Sequence, residues 1–312
     1  MLHDAPDWAS RHHYWHHSNP RSKDRAKALY DKAHVRPQVN AAFETLKNPA
    51  STDAERLLAK DVLFRLSTNR SSNMEAGNAT QTACDLYLVK DGASDTLDLA
   101  TATLAGVEQM QSYRPANDLD QTKKDKYLEE LPIVIEHAIK GLLEAMAREN
   151  LILGEKQLLG ALPGTAVPHM TLPDYANRGD LKTKWSRPST RSKSGWQAGN
   201  LPSSLTGMFD MNNVYQVAGF WALNGHQPPF LVYANASDYR VFTPDNTPEL
   251  RDDYLQDVVN DITLFHKTTE NILRAASNKE ELFSLVSPDF SKFCWNEPEA
   301  YLTEAKKIWS VS

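Results

Sequence analysis

The chain has 312 residues, 41% hydrophobic and 24% charged, so it can bury a sizeable core and has an ordinary globular composition. Its formal net charge of −6 excludes nucleic-acid binding through a uniformly basic surface, so any such binding must come from a local basic patch. Two cysteines, Cys84 and Cys294, are too few for a disulfide framework, a zinc ribbon or a four-cysteine iron–sulfur cluster. Neither a signal peptide nor a membrane-length apolar run is visible, which predicts a soluble cytoplasmic protein with no membrane partner.

Residues 1–127 are predicted to form a helical N-terminal region. Helix-type apolar spacing covers 22–34, 53–67 and 74–89, and polar breaks separate these segments. The charged stretch RPANDLDQTKKDK at 114–126 is typical of a connection between elements.

Residues 128–245 show a different pattern, which predicts the core of the protein. An amphipathic helix at about 128–148 is followed by three strands, at 151–162, 165–175 and 179–185, and the linker ANRG before the third strand predicts a tight turn. Residues 186–207 indicate a long loop. A helix at 208–224 and strands at 229–235 and 239–242 follow. His169, on the second strand, is interpreted as a packed or hydrogen-bonded residue rather than a metal ligand.

Residues 246–312 are predicted to form a helical C-terminal region packed on the core. A long helix with one apolar face contains Leu255 and Ile262, and a last helix is expected near 297–309. The α-β-β-β-α-β order of the core, with hairpin-like connections, predicts an α/β fold whose mixed central sheet is flanked by helices.

Three acids and a lysine fall on three successive predicted strands: Glu155, Asp174, Asp180 and Lys182. Alternation along a strand places Asp180, Lys182 and Lys184 on one face. Phosphodiester hydrolysis needs a hard divalent cation held by carboxylates, and a positive charge near the phosphate. The ANRG turn would bring Asp174 to Asp180 and complete such a set. The alternative is a salt-bridged edge strand in another α/β fold.

PD at 173–174, followed by DLKT at 180–183, resembles the signature of the PD-(D/E)xK nucleases, and most closely that of their RecB-like and lambda-type exonuclease branch. Gln216, in VYQVAGFWAL, resembles the glutamine motif of that branch on the helix after the third strand. The predicted element order of 128–243 matches the restriction-endonuclease-like core. The chain departs from the family pattern at Phe220, where a tyrosine is usual, and at Gln81, where a histidine or glutamate is usual.

The resemblance implies a role for each matching residue. Asp174 and Asp180 would bind Mg²⁺, with Mn²⁺ able to substitute, and the carbonyl of Leu181 would be a further ligand. Lys182 would position and activate the attacking water. Glu155 would support these ligands or bind a second metal ion. Gln216 would bridge Lys182 or the region of the 5′-end phosphate.

The activity implied by the resemblance is a metal-dependent DNA exonuclease that resects linear ends in phage recombination or degrades DNA, in the host cytoplasm if the origin is viral. A single-strand-binding or annealing protein is a candidate partner, and a homo-oligomer is compatible with this activity. Two alternatives stay open. One is a structure-specific or restriction-type endonuclease with the same core, and the other is a non-catalytic DNA-binding protein that keeps the fold.

Between Arg178 and Lys193 the chain carries six basic residues and one acid, Asp180. Lysine and arginine neutralise phosphates, and tryptophan can stack on an unpaired base. The sequence therefore predicts a DNA-contacting segment, with a flexible solvated loop as the alternative. Its predicted contact residues are Lys184, Trp185, Arg187, Arg191 and Lys193, and Trp196 lies beside them. No base-reading motif is visible, so little sequence specificity is expected.

Overall fold

The computed structural model describes residues 36–67, 71–88, 97–115, 118–146, 156–285 and 306. They form a mixed α/β structure. The helices are α1 (Arg36–Lys47), α2 (Asp53–Ser67), α3 (Ser72–Leu88), α4 (Leu99–Ser112), α5 (Asp118–Ala145), α6 (Met208–Leu223), α7 (Asp252–Ala275) and α8 (Lys279–Leu285), with a 3₁₀ turn at Pro248–Leu250. The strands are β1 (Leu158–Gly160), β2 (His169–Thr171), β3 (Gly179–Thr183), β4 (Arg187–Pro188), β5 (Trp196–Gln197), β6 (Phe230–Ala234) and β7 (Tyr239–Phe242).

The chain divides into two compact units, and the predicted boundary at 127/128 does not coincide with this division. Of the described residues, those from 71 to 270 belong to one unit, and 36–67 with 271–285 belong to the other. The predicted boundary falls inside α5. The helix predicted at 22–34 lies outside the described residues, and of the helix predicted near 297–309 the structure describes residue 306 alone. In the part of the chain that the structure describes, no helix has the length and apolar character of a membrane span.

The larger unit is built around a three-stranded sheet with the order β3–β6–β7. Strands β3 and β6 are parallel and α6 connects them, whereas β6 and β7 are antiparallel. Phe230 and Val232 of β6 join a core cluster with α3, α4 and α5. Leu231 and Tyr233 join a second cluster with α6 and α7. Helices therefore cover both faces of the sheet, which explains why all five residues of β6 are buried.

Helix α5 is longer than the sequence predicted. It begins at Asp118, within the stretch that was predicted to be a connection. Charged residues on an exposed helix face are compatible with a helix because they can pair at i, i+3 and i, i+4. Lys126 does so, with Nζ 3.0 Å from Glu129 and 3.6 Å from Glu130. The connection predicted at 114–126 is therefore wrong over 118–126, where the chain is helical and most of the charged side chains reach solvent.

The three strands that precede α6 do not form one continuous meander. Strands β1 and β2 pair antiparallel, in agreement with the prediction, but β2 and β3 lie in different sheets. Pro173 lies between them and lacks the N–H group that a continuing ladder needs. Among the described residues, strand-type pairing between this segment and β3 is limited to an isolated bridge, Tyr175 to Gly179. The predicted loop at 186–207 contains a further short hairpin, β4–β5.

His169 has the packed, hydrogen-bonded environment that the sequence suggested. It is buried on β2, and its Nδ1 lies 3.1 Å from Nε2 of His266 on α7. Burial lowers the pKa of His266. Glu270, one turn further along α7, accepts hydrogen bonds from the backbone N–H groups of Ala166 and Val167 at 2.7 and 2.8 Å. These contacts attach the β1–β2 hairpin to α7.

We predict that position 179 must be a glycine, because its cross-strand neighbour leaves no room for a side chain. It pairs with Phe230, and a Cβ atom at position 179 would lie 1.9 Å from Cζ of that ring. We expect Gly179→Ala to lower the free energy of unfolding by about 1–3 kcal/mol, measured by urea denaturation. The matched control is Gly77→Ala on α3, where the new Cβ would meet Thr183 Oγ1 at an ordinary 3.5 Å.

The assignment to Phe230 is tested by a double-mutant cycle with Phe230→Leu. Because the smaller side chain leaves room for the new Cβ, the two substitutions together should cost less than the sum of their separate costs. Strictly additive costs would show that the ring is not the obstacle.

Candidate active site

Asp180 and Lys182 meet Gln216 on the face of β3 that α6 covers. Lys182 Nζ lies 2.6 Å from Asp180 Oδ2 and donates a hydrogen bond to Gln216 Oε1 at 2.9 Å. The Gln216 amide then donates to Asp180 Oδ1 at 2.9 Å. The Asp180 side chain is 2% exposed and the Lys182 side chain 27% exposed. The three side chains thus form a closed ring in which a buried carboxylate lies below an ammonium group that reaches solvent.

A tight turn brings Asp174 to the start of β3. In the turn at 175–178, Ala176 and Asn177 have φ values of +52° and +57°, and the last N–H bonds to the first carbonyl at 3.0 Å. These are the features of a type I′ turn, whose left-handed positions asparagine tolerates well. The Asp174 N–H donates to the Gly179 carbonyl at 3.0 Å. The tight turn predicted at ANRG is therefore present, and its left-handed conformations belong to Ala176 and Asn177.

The backbone of Leu181 points towards Asp174. Its N–H donates to Asp174 Oδ2 at 2.9 Å, on the open edge of β3. The N–H of Lys184 bonds instead to Ala234 of β6 at 2.9 Å, so odd and even residues of β3 direct their backbone groups to opposite sides. Because the N–H and C=O of one strand residue point to the same side, the Leu181 carbonyl also faces the Asp174 edge. This orientation is the one that the predicted ligand role of Leu181 requires.

Asp174 and Asp180 lie close enough to share a proton. Burial, and next the charge of Asp180, raise the pKa of Asp174 to about 8, and a hydrogen bond between the two carboxyl groups contributes in the same direction. The Leu181 N–H and the charge of Lys182 oppose this shift without cancelling it. Two adjacent carboxylates cannot both ionise readily unless a cation compensates them. The pair is therefore suited to hold a proton or a positive ion.

Sequence reasoning missed the buried neighbours of Asp174. Tyr175 is completely buried and lies beside Cys84 and Asp85 near the end of α3. Burial is the main cause that raises the pKa of Tyr175, and the same cause raises the pKa of the Cys84 thiol. No motif marks these residues, because their contact depends on how α3 packs. Gln81, the position at which the sequence departs from the expected pattern, lies on the same helix.

The predicted DNA-contacting residues divide into two groups. Arg187, Arg191 and Lys193 are exposed on the β4–β5 hairpin. Lys184 is half-buried, with Nζ 3.8 Å from Asp210 Oδ1 and 5.2 Å from the centroid of the Tyr233 ring. Its loose ion pair leaves the ammonium group close to solvent.

Trp185 is not available to stack on a base. It is 8% exposed, and its ring centroid lies 5.1 Å from that of Tyr127 on α5. The indole N–H donates to Thr183 Oγ1 at 3.0 Å. The prediction that Trp185 contacts DNA is therefore wrong, because this side chain belongs to the core.

Glu155 lies outside the described residues. Within the described ranges, no group of three or more histidine, cysteine, aspartate or glutamate side chains is placed to hold a metal ion. The candidate site has two carboxyl groups, Asp174 and Asp180, with the Leu181 carbonyl beside them. Comparison with protein-family models, with curated proteins and with solved structures found no match to this chain.

We predict that the stability of the metal-free protein falls as the pH rises towards about 8. The folded state holds a proton on Asp174 that the unfolded state releases near pH 3.8, so the contribution is complete below that value and is lost as pH rises through about 8. Asp174→Asn should remove this slope, which is at most about 1.4 kcal/mol per pH unit. Urea denaturation in EDTA measures the effect.

Asp257→Asn is the control for this experiment, since Asp257 is an exposed carboxylate on α7. It should leave the pH slope of the wild-type protein in place. An unchanged slope in Asp174→Asn would show that the proton is not held at the carboxylate pair.

Proposed function

We propose that this chain is a metal-dependent deoxyribonuclease with a restriction-endonuclease-like core, and that it acts as an exonuclease on linear DNA. The observation that carries the proposal is the convergence of Asp174, Asp180, Lys182 and Gln216. The sequence resemblance selected these four residues from separate elements. Convergence supports it, because a chance DxK triplet would not bring a second acid and a glutamine from a distant helix to the same point.

The donor set suits a hard divalent cation such as Mg²⁺ or Mn²⁺. Such cations prefer carboxylate and carbonyl oxygens, which Asp174, Asp180 and Leu181 offer at one edge of β3. The raised pKa of Asp174 is compatible with the assignment, since burial first and the charge of Asp180 next disfavour a second carboxylate charge that a bound cation would compensate. A bound divalent cation would polarise the phosphate and lower the pKa of the attacking water.

Lys182 is suited to orient a water molecule or a phosphate oxygen. An ammonium group has three N–H donors, and two of them point to Asp180 and Gln216. The third donor remains for a substrate group on the solvent side. Gln216 holds both neighbours and so restricts the rotamer of Lys182, which favours a fixed position of the ammonium group during in-line attack.

We predict that Lys182→Ala and Asp180→Ala each lower the rate of DNA hydrolysis by at least about a hundredfold. Lys182→Arg is the more discriminating variant, because it keeps the charge beside buried Asp180 but cannot reproduce the position of the ammonium group. It should unfold like the wild-type protein in denaturant and still lose most activity.

Lys184→Ala is the matched comparison, since Lys184 lies two residues along the same strand face. It should raise KM with little change in kcat, because Lys184 is proposed to bind phosphate outside the reacting centre. Full activity in both Lys182 variants would place the chemistry elsewhere.

The exonuclease and endonuclease alternatives differ in whether they need a DNA end. We expect Mg²⁺-dependent degradation of linear duplex DNA and no cutting of the same DNA as a covalently closed circle. Gel electrophoresis of both forms, with EDTA as the metal-free control, measures this difference. Nicking or linearisation of the circle would favour the endonuclease. Binding without cleavage of either form would favour a non-catalytic DNA-binding protein.

A further inference from the structure

The β4–β5 hairpin, residues Arg187–Gln197, is here called the basic arm. It directly follows the strand that carries Asp180 and Lys182. At about 3.3 Å per residue, Arg187 can lie no more than about 17 Å along the chain from Lys182. The arm is therefore close enough to contact the same DNA molecule as the candidate active site.

Both ends of the arm are fixed to the core. At its beginning, Ser186 donates through Oγ to Glu130 Oε1 of α5 at 2.6 Å, next to buried Trp185. Beyond its end, the Gly199 carbonyl accepts a hydrogen bond from Asn235 Nδ2 at 2.6 Å. Gly199 also packs so tightly that a Cβ there would lie 2.3 Å from the Lys184 carbonyl oxygen. These contacts give the arm a rigid base.

The tip of the arm is held by its own polar groups. The Ser189 N–H bonds to the Gly195 carbonyl at 2.8 Å, and the hydroxyl groups of Ser192 and Ser194 lie 2.9 Å apart. Gly195 has φ +75°, and a Cβ there would meet no atom within 4 Å, so the tip extends into open space. A supported loop of this kind presents its side chains outwards in a defined arrangement.

The exposed surface of the arm is positively charged and has one aromatic ring. Arg187, Arg191 and Lys193 are exposed, and none of the three forms an ion pair within the described ranges. Trp196 is half-exposed and pairs across the hairpin with Pro188. Cations that track a phosphate backbone, together with an aromatic side chain that stacks on bases, are the combination that single-stranded nucleic acid binding uses.

We propose that the basic arm binds an unpaired DNA strand, with Trp196 stacked on a base and Arg187, Arg191 and Lys193 against the phosphates. This inference rests on the proposed nuclease function and specifies its substrate class as DNA with a single-stranded segment near the cleaved bond. Trp196 takes the stacking role for which buried Trp185 is unsuited. Inside a duplex each base has both faces covered by its neighbours and only the terminal pairs leave one face open, so Trp196 contributes little to the binding of a blunt duplex.

The test is equilibrium binding in EDTA, measured by fluorescence anisotropy with a labelled DNA oligonucleotide, its blunt duplex and the same sequence as RNA. Trp196→Ala should weaken single-strand binding about 5- to 100-fold and change duplex binding less than twofold. Trp196→Phe should retain most of the single-strand affinity. Arg191→Ala with Lys193→Ala should weaken binding to single strand and duplex alike, and should lower the salt slope for single strand by about 0.7 per cation removed.

Lys140→Ala is the control for charge, since Lys140 is an exposed cation on α5 that pairs with Glu136 at 2.6 Å. It should change neither affinity. Equal loss of single-strand and duplex binding in Trp196→Ala would overturn the stacking role, and tighter binding of RNA than of DNA would overturn the assignment to DNA.

The outcomes also separate this proposal from the proposed function. Trp196-dependent single-strand binding without any cleavage in Mg²⁺ would support the arm and refute the nuclease. Loss of cleavage in the Lys182 variants would support the nuclease. If Trp196→Ala then changed neither cleavage nor single-strand affinity, the proposed role of the arm would be refuted.

Discussion

The candidate site depends on keeping two carboxyl groups, Asp174 and Asp180, side by side in a partly buried position. Like charges at this distance repel, and burial adds a desolvation cost for each. The protein meets the constraint locally: Leu181 donates its N–H to Asp174, and Lys182 and Gln216 hold Asp180. The remaining imbalance appears as the raised pKa of Asp174. A site that is unbalanced in this way favours any positive ion that fits between the carboxyl groups.

The geometry of β3 makes that arrangement possible, because the side chains of even-numbered and odd-numbered residues lie on opposite faces of the strand. The side chains of the even-numbered residues Asp180 and Lys182 point towards α6, the helix that leads to β6, and contact Gln216 there. The odd-numbered Leu181 packs against the opposite cluster and turns its backbone to the open edge. β3 can offer that edge because β6 pairs with only one side of it. An inner strand would have used the Leu181 backbone for a ladder hydrogen bond.

The parts that were predictable from the sequence are those with a local cause. Alternation fixed the shared face of Asp180 and Lys182, and the composition of ANRG indicated a turn before β3. The fate of the two tryptophans had no local cause. Trp185 is buried because Tyr127, far away in the sequence, lies on the α5 face that packs beside β3. Trp196 stays accessible because the hairpin that carries it leaves the core.

Charged residues are ambiguous in a similar way. A charge indicates that a side chain prefers solvent, but it does not indicate whether the backbone is a helix or a loop. The charged stretch at 114–126 suggested a connection, yet most of it forms the first turns of α5, with Asp120 buried and most of its other charged side chains reaching solvent. A buried acid further along α5 is informative as well. Glu130 lies one turn beyond that stretch and accepts two hydrogen bonds from Ser186, which anchors the beginning of the basic arm. One acidic residue of α5 thereby contributes to the position of a basic surface.

The negative net charge of −6 does not prevent such a surface from attracting phosphates. Electrostatic interactions between exposed groups are largely screened beyond about 8–10 Å at physiological salt. What matters for the arm is therefore the charge in its neighbourhood. No acid occurs in the sequence between Asp180 and Asp210, and Glu130, which contacts Ser186, is paired with Lys126 at 3.6 Å. Asp180 and Asp210 are themselves engaged, Asp180 with Lys182 and Asp210 with Lys184. The cations of the arm are thus exposed to solvent and can attract phosphates, whereas Asp180 of the neighbouring site is buried and paired.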